Sequence, residues 1–294
     1  MKQVVVIGSS NIDLVYQVTR LPQLGETIFG NDLQRLPGGK GLNQAVAAAR
    51  VCENVIFLGS FGCGSNSAFL KDFISKENID ISQLKETNTE TGTAIITIVE
   101  NDNTIVVIPG ANNDIDIDYI KKYEYLLNDS IVVIQNEIKQ ETNEYIIDYC
   151  YKNEITLIYN PAPARKIDLK LLEKVSYFTP NETEASEIFE SSNYNEIVKK
   201  YPRKVIITVG KEGILYYDNE VVNIAPQPTK AIDTTGAGDT LNGILAASLA
   251  ENYTLHKALQ RAVSGATLSI KKIGAQAGMP KKEEISDEKK WNLK

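Results

Sequence analysis

The chain is short of the side chains that most often carry acid–base and metal chemistry. It has one histidine and three cysteines in 294 residues. The histidine, His256, lies in a Leu-rich helical stretch and reads as filler, not as a base. Cys52, Cys63 and Cys150 lack metal-ligand spacing, and so sparse and odd a set fits reduced thiols in a cytosol. Positive charge is also scarce: 31 Lys and Arg face 38 Asp and Glu, a net charge of −7. That balance argues against nucleic acid or an anionic membrane as the main partner, since both select basic patches. No apolar stretch is long enough to span a bilayer. The opening MKQVVVIGSSNIDLV has one Lys and a short apolar run, without the longer core and cleavage site of a signal peptide. Its Gly8-Ser9-Ser10 turn lacks the G-x-G-x-x-G fingerprint of a dinucleotide oxidoreductase. No internal repeat, low-complexity tract or Pro/Gly-rich linker interrupts the chain, which is expected to form one domain over 1–294.

Hydrophobic residues make up 43% of the chain, enough for a sizeable core. Apolar runs at 4–7, 55–58, 131–134, 156–159 and 205–209 read as buried strands. Helical patterns at 42–51, 68–75, 117–127 and 141–151 lie between several of them. Short buried strands separated by helices indicate βαβ units and a parallel sheet. Runs at 215–217 and 221–224 flank Asp218-Asn219, a hairpin signal, and helices are expected at about 236–250 and 255–272. Residues 12–37 and 93–108 break the alternation, the second as a hairpin around 101–103. They read as a small β-flap over one end of the main sheet, with edge strands as the plainer alternative. From Lys281 the chain is charged and is expected to end in a solvated helix.

The strongest motif is Asp233-Thr234-Thr235-Gly236-Ala237-Gly238-Asp239, ahead of an apolar helix. Glycines let backbone N–H groups converge on one point, and a helix N-terminus adds partial positive charge there. The result is a pocket for an oxyanion such as a transferring phosphate. Asp239, in the first turn, can accept a proton from an attacking hydroxyl. A lone Gly-Asp pair would read as a helix cap; two aspartates bracketing Thr-Thr-Gly-Ala-Gly point to chemistry. A second Gly-rich turn, Gly38-Gly39-Lys40-Gly41-Leu42-Asn43, also opens a helix. It lacks Walker A spacing, but Lys40 and Asn43 offer donors to hydroxyls. Asn11-Ile12-Asp13 follows the first strand, where ligands of open α/β sheets bind. Gln135-Asn136-Glu137, Asn160-Pro161-Ala162-Pro163-Ala164, Thr179-Pro180-Asn181-Glu182-Thr183-Glu184 and Thr208–Gly213 follow strands in the same way. Each is weak alone; their common placement implies a shared cleft.

From Gly8-Ser9-Ser10-Asn11-Ile12-Asp13 to Gly274-Ala275-Gln276, the chain resembles the ribokinase-like family of carbohydrate kinases. Gly39-Lys40-Gly41-Leu42-Asn43-Gln44-Ala45, Asn160–Ala164, Thr179–Glu182 and Asp233–Asp239 carry the likeness most specifically. The resemblance implies an α/β fold with a mostly parallel central sheet flanked by helices and a small β-sheet lid, here 12–37 and 93–108. It implies ATP-dependent phosphorylation of a sugar CH₂OH, with D-ribose and its 5-hydroxyl as the leading substrate. A related kinase of deoxyribose, fructose or a nucleoside, and a non-catalytic sugar sensor, stand as alternatives. By resemblance Asp239 is the base, and the Gly236-Ala237-Gly238 backbone is the anion hole. Asn11, Ile12, Asp13, Gly39, Lys40, Gly41, Asn43, Glu137 and Asp239 match the sugar site. Asn181, Thr208, Val209, Gly210, Lys211, Glu212, Gly213 and Gly238 match ATP contacts. Glu184 matches a water-mediated link to Mg²⁺. Asp233, Thr235, Ser269, Lys272, Gly274 and Gly278 match a K⁺ site, with Gly278 where related chains offer a serine hydroxyl. The resemblance also points to a homodimer paired through the lids.

Overall fold

The computed structural model describes residues 2–100 and 102–285. β1 (Gln3–Ile7) is followed by β2 (Asn11–Gln17) and, after an irregular stretch, β3 (Asn31–Gly38). α1 (Lys40–Ala49), β4 (Val55–Leu58), β5 (Ser60–Cys63) and α2 (Gly64–Ile74) come next. β6 (Lys85–Glu90), β7 (Gly92–Val99), β8 (Asp102–Ile108) and α3 (Ile117–Tyr123) follow. Then come β9 (Ser130–Ile134), α4 (Gln140–Lys152), β10 (Thr156–Tyr159) and β11 (Tyr177–Phe178). α5 (Glu182–Phe189), α6 (Tyr194–Lys200) and β12 (Ile207–Thr208) lead into the hairpin of β13 (Ile214–Asp218) and β14 (Glu220–Ile224). α7 (Ala237–Ala250) and α8 (Leu255–Ser269) complete the set.

The main sheet has the order β11-β10-β9-β1-β4, all pairs parallel. Bridges from Phe178 to Val205 and from Asn181 to Thr208 carry it on to β12, which pairs antiparallel with β13. β1 illustrates why such strands read as unbroken apolar runs. Successive side chains point to opposite faces, and both faces are covered. Val4 and Val6 pack with Leu42, Leu70, Leu245 and Leu259, whereas Val5 and Ile7 pack with Ile120, Ile146 and Val198. Full burial of one such side chain is worth roughly 1.5–3 kcal/mol. The sheet is therefore a layer between two helical layers, and the α/β architecture expected from the alternation is present.

A separate sheet has the order β3-β2-β7-β8. β2 runs antiparallel to β3 and parallel to β7, and β7 pairs antiparallel with β8. Along β7, Ala94 and Ile96 are buried, whereas every residue of β8 is exposed.

Several expected boundaries move. The pattern at 117–127 is α-helical only to Tyr123 and tightens into a 3₁₀ turn, Glu124–Leu127. The helix expected to 272 ends at Ser269. The run at 205–209 shrinks to Ile207–Thr208, because its flanks make single bridges instead of a ladder. Residues 12–37, read without a helix, are indeed two strands joined by a loop. The charged tail from Lys281 begins with a 3₁₀ turn, Lys282–Glu284, and not an α-helix; its remainder, like Asn101, lies outside the described residues. β5, β6, α5 and α6 had no clear pattern. β6 is KETNTE, a polar and mostly exposed strand whose pairing comes from a neighbour and not from its own propensity.

Candidate active site

β1 pairs with β4 on one side and β9 on the other, so the loop after Ile7 opens at a switch point in strand order. Gly8–Ser10 meets the start of α1 there. A Cβ on Gly41 would lie 2.6 Å from Gly8 C and Ser9 N, and one on Gly39 (φ 90°) 2.7 Å from Asn11 N. The glycines of Gly39-Lys40-Gly41 thus serve close backbone approach. The first amides of α1 are taken by protein groups: Lys40 N–H donates to Glu137 Oε2 at 3.0 Å, Gly41 N–H to Ser9 Oγ at 3.3 Å, and Leu42 N–H to Ser9 O at 2.8 Å. Ser9 Oγ donates to the same Glu137 oxygen.

In β2, Asn11 and Asp13 share one face, and the residue between them faces the other way. Both are nearly buried, and a Cβ on Gly38 would collide with the Asp13 carboxylate at 2.1 Å. Ile12 has 0% exposure and packs in the core, so its side chain is withdrawn from the cleft, contrary to its place among the expected sugar contacts. Asn11 Oδ1 accepts from Asn112 Nδ2 at 2.8 Å, and Asn112 Oδ1 accepts from Ser10 N–H at 2.9 Å. Asn112 escaped sequence reading because it lies 101 residues along the chain from the group it orients.

Asp239 stands opposite, in the first turn of α7. Its two oxygens accept from Asn43 Nδ2 at 2.9 Å and Gln44 Nε2 at 3.0 Å. Gly236 (φ 77°) caps the helix, and a Cβ there would meet Ala275 O at 2.6 Å. Around Gly238 there is nothing within 4 Å of a would-be Cβ. Ala237 N–H donates to Thr234 O at 3.2 Å, whereas among the described residues the amides of Gly238 and Asp239 have no acceptor. Of the three expected anion-hole amides only that of Ala237 is taken; those of Gly236 and Gly238 have no acceptor among the described residues, and the amide of Asp239 joins them.

Beyond α7, Thr208 N–H donates to Pro180 O at 3.0 Å, which places Asn181 beside the Thr208–Gly213 turn. Gly213 (φ 90°) packs where a Cβ would meet Ile224 O at 2.0 Å, while Gly210, Lys211 and Glu212 are exposed. Val209 is buried, so only its backbone faces outward. Asn181 Oδ1 accepts from Glu184 N–H and Glu184 Oε2 accepts from Asn181 N–H, both at 2.8 Å, a capping box that starts α5. One oxygen of Glu184 is thus engaged locally, and the other has no hydrogen-bond partner among the described residues.

Asp233 clamps two loops: its oxygens accept from Thr235 N–H at 2.9 Å and Gly274 N–H at 2.8 Å. Of the residues expected there, Gly274 meets Asp233, and Gly278 packs on Ser269 at the end of α8. A Cβ on Gly278 would lie 1.8 Å from Ser269 O, so the glycine is dictated by packing and is more than the loss of a hydroxyl. Among the described residues no group of three His, Cys, Asp or Glu could hold a metal ion.

The electrostatics are lopsided. Lys40 feels the carboxylates of Asp239, Glu137, Glu184 and Asp13. Burial works to lower its pKa, but these carboxylates outweigh burial and hold it above the ordinary value. Asp13 is pushed up to about 7, mainly by burial and then by Glu137 and Asp239, with Lys40 opposing. Burial also raises Glu184. At Asp233 burial disfavours the charge, yet the hydrogen bonds from Gly274 and Thr235 prevail and lower its pKa. Carboxylates gather at one end of the site, and open amides lie at the other.

A profile of pfkB family carbohydrate kinases matches residues 1–282. Ribokinase of Lactococcus lactis is 44% identical over 290 residues, covering 97% of this chain and 96% of that protein. The crystal structure of ribokinase from Thermotoga maritima superposes with a TM-score of 0.88 at 31% identity, covering 97% of this chain and 98% of that one. The structure of Arabidopsis thaliana ribokinase complexed with ribose and ATP gives 0.81 at 27% identity, covering 97% of each.

Proposed function

The chain belongs to the pfkB family of carbohydrate kinases, and from that premise we propose that it transfers the γ-phosphoryl group of ATP to the 5-hydroxyl of D-ribose. The observation that carries the reading is Asp239, buried at the mouth of α7 beside the unpartnered amides of Gly238 and itself. The carboxylate takes the hydroxyl proton, the sugar oxygen bonds to the γ-phosphorus, and the bond to ADP breaks with its electron pair leaving on ADP. The amides receive the charge that builds on the transferring group. Ribose lies against Asn11, Asp13, Asn43, Glu137 and the Gly39–Gly41 turn, where Asp13 and the free oxygen of Glu137 accept from ring hydroxyls. ATP lies along Asn181 and the Thr208–Gly213 turn, while Lys40 stays in the sugar site among the carboxylates of Asp239, Glu137, Glu184 and Asp13.

So acidic a cleft needs a counterion for a triphosphate, which supports Mg²⁺ on the phosphates with Glu184 holding its water; bound there, the ion would offset phosphate charge. K⁺ would be held by Asp233 and by carbonyls of Thr235, Ser269, Lys272, Gly274 and Gly278. It would stiffen the turn that aims the α7 amides. We expect faster turnover in K⁺ than in tetramethylammonium at equal ionic strength, with more salt needed than a loop bearing a serine at 278 would require; equal rates would remove this cation.

The sheet β3-β2-β7-β8 is the lid of the single domain. On β8, Ile105, Val106, Val107 and Ile108 are 39–61% exposed, so the strand is apolar on both faces and suits cover by the sugar in part and by the lid of a second copy in a homodimer. Three free cysteines suit a cytosolic enzyme. The test is a kinetic panel of ribose, deoxyribose, fructose and a nucleoside with ATP, the product position read by ³¹P and ¹³C NMR. Ribose should give the highest kcat/KM and a 5-phosphate; a better alternative sugar would reassign the substrate, and no phosphoryl transfer would overturn the kinase.

A further inference from the structure

Asp239 is held by a run of side-chain amides of which the catalytic reading uses only Asn43. Gln44 is 0% exposed and is the hub. Its Nε2 donates to Asp239 Oδ1 at 3.0 Å and to Asn160 Oδ1 at 3.1 Å, and its Oε1 accepts from Gln135 Nε2 at 2.7 Å. Asn160 Nδ2 donates in turn to Thr179 O at 2.9 Å. On the other side, Asn43 Nδ2 donates to Asp239 Oδ2 at 2.9 Å while Asn43 Oδ1 accepts from Gln276 Nε2 at 2.7 Å.

The orientation of these amides follows from the carboxylate. An ionised Asp239 can only accept, so the nitrogen of Gln44 must face it and the oxygen must face away. That oxygen then requires a donor, and Gln135 Nε2 supplies it. Gln135 in turn is placed by its own packing. Its Oε1 has no hydrogen-bond partner and lies where a Cβ on Gly8 would be 2.0 Å away. A buried acceptor without a partner is unfavourable. It is tolerated here because the Gln135 nitrogen is committed to Gln44. The chain of amides joins the ends of β9 and β10 to the first turn of α7, three elements far apart in sequence.

We propose that Gln44, backed by Gln135, is a positioning residue that holds the Asp239 carboxylate aimed at the sugar hydroxyl. This rests on Asp239 being the base. Asn43 and Gln44 each hold one carboxylate oxygen, and together the two donors fix the plane of the group. Without Gln44, the carboxylate keeps one donor, Asn43, and turns about its χ2. Gln44 itself reaches no substrate atom, so sugar affinity should not depend on it.

The test compares kcat and KM across pH for the full-length enzyme, Gln44→Met, Gln44→Glu, Gln135→Met and Asp239→Asn, with circular dichroism and Tm as the check on folding. In Gln44→Met kcat should fall roughly 10–100-fold, as for loss of a hydrogen bond to a charged group, while KM for ribose moves less than about threefold. Gln44→Glu places a carboxylate against Asp239, so the acid limb of its kcat profile should move to higher pH than in Gln44→Met. Gln135→Met touches neither Asp239 nor the sugar and should lower kcat by roughly 3–10-fold with KM unchanged, the effect of losing one neutral hydrogen bond. On an Asp239→Asn background, Gln44→Met should add almost nothing. If the Gln44 variants do not fold, a folded Gln135→Met with unchanged kcat overturns the proposal. So does a kcat loss in Gln44→Met that is matched by KM, or one with no movement of the acid limb in Gln44→Glu. Near-normal turnover in Asp239→Asn would instead remove the base, a separate outcome.

Discussion

The starts of α1 and α7 are built from the same parts and do opposite things. Each begins after a glycine with positive φ, Gly39 at 90° and Gly236 at 77°, and neither has a side-chain cap. At α1 the first amides are already bonded to Glu137 and Ser9, and Gly41 is pressed on the backbone of Gly8 and Ser9. At α7 the amides of Gly238 and Asp239 have no partner among the described residues, and Gly238 faces open space. A glycine-rich turn before a helix is therefore not by itself an anion site. What decides is whether the protein has filled the helix mouth with its own acceptors. The α1 mouth is closed and lined with carboxylates, which suits hydroxyls and repels phosphate. The α7 mouth is open, which suits a phosphoryl group.

Three substitutions would sharpen or break this contrast. The largest effect belongs to Gly41→Ala. Its Cβ would meet backbone at 2.6 Å, which cannot be relieved by a rotamer change. We expect a loss of roughly 3 kcal/mol, the upper end for overpacking, measured by urea unfolding. A variant as stable as the parent would mean that the α1 mouth is not closed. Second, Asp13→Asn removes a buried charge beside Gly38. The Asp13 carboxyl titrates near 7 when folded against an ordinary 3.8. A raised folded pKa adds stability below the unfolded value, and that contribution is lost as pH rises through about 7. Asp13→Asn should thus be more stable than the parent at pH 8, by up to a few kcal/mol, with the gap closing near pH 4. Ribose affinity of the parent should improve as pH rises past about 7, and that dependence should vanish in the variant. Equal stability curves would place the charge elsewhere. The smallest effect is expected for Gly238→Ala. With no atom within 4 Å to strike, Tm should stay within a few degrees, while kcat drops roughly tenfold as the methyl enters the phosphoryl path. An unchanged kcat would count against α7 as the anion site.

Much of this was legible beforehand. The buried strands of the main sheet show as apolar runs because each is covered on both faces, and the turns after them mark the cleft edge. Asp239 and its glycines announce themselves by spacing. Ile12 could not be separated from Asn11 and Asp13 until β2 gave it a face. Ala237 could not be set apart from Gly238 until the Thr234 turn took its amide. Asn112 carries no local signature, and Gln135 is marked only as part of a strand-end turn; the role of each comes through a partner distant in sequence.

Local order, covalent connectivity and periodicity determine which segments become strands, helices and glycine turns, because these depend on backbone sterics and on burial of alternating side chains. Whether a helix mouth is open or closed, which way the Gln44 amide points, and why Gly278 must be a glycine were decided only by tertiary structure. Each depends on an atom contributed by a distant segment, Glu137 for α1, Gln135 for Gln44 and the Ser269 carbonyl for Gly278, and no periodicity within one segment encodes where another segment's donor or acceptor will lie.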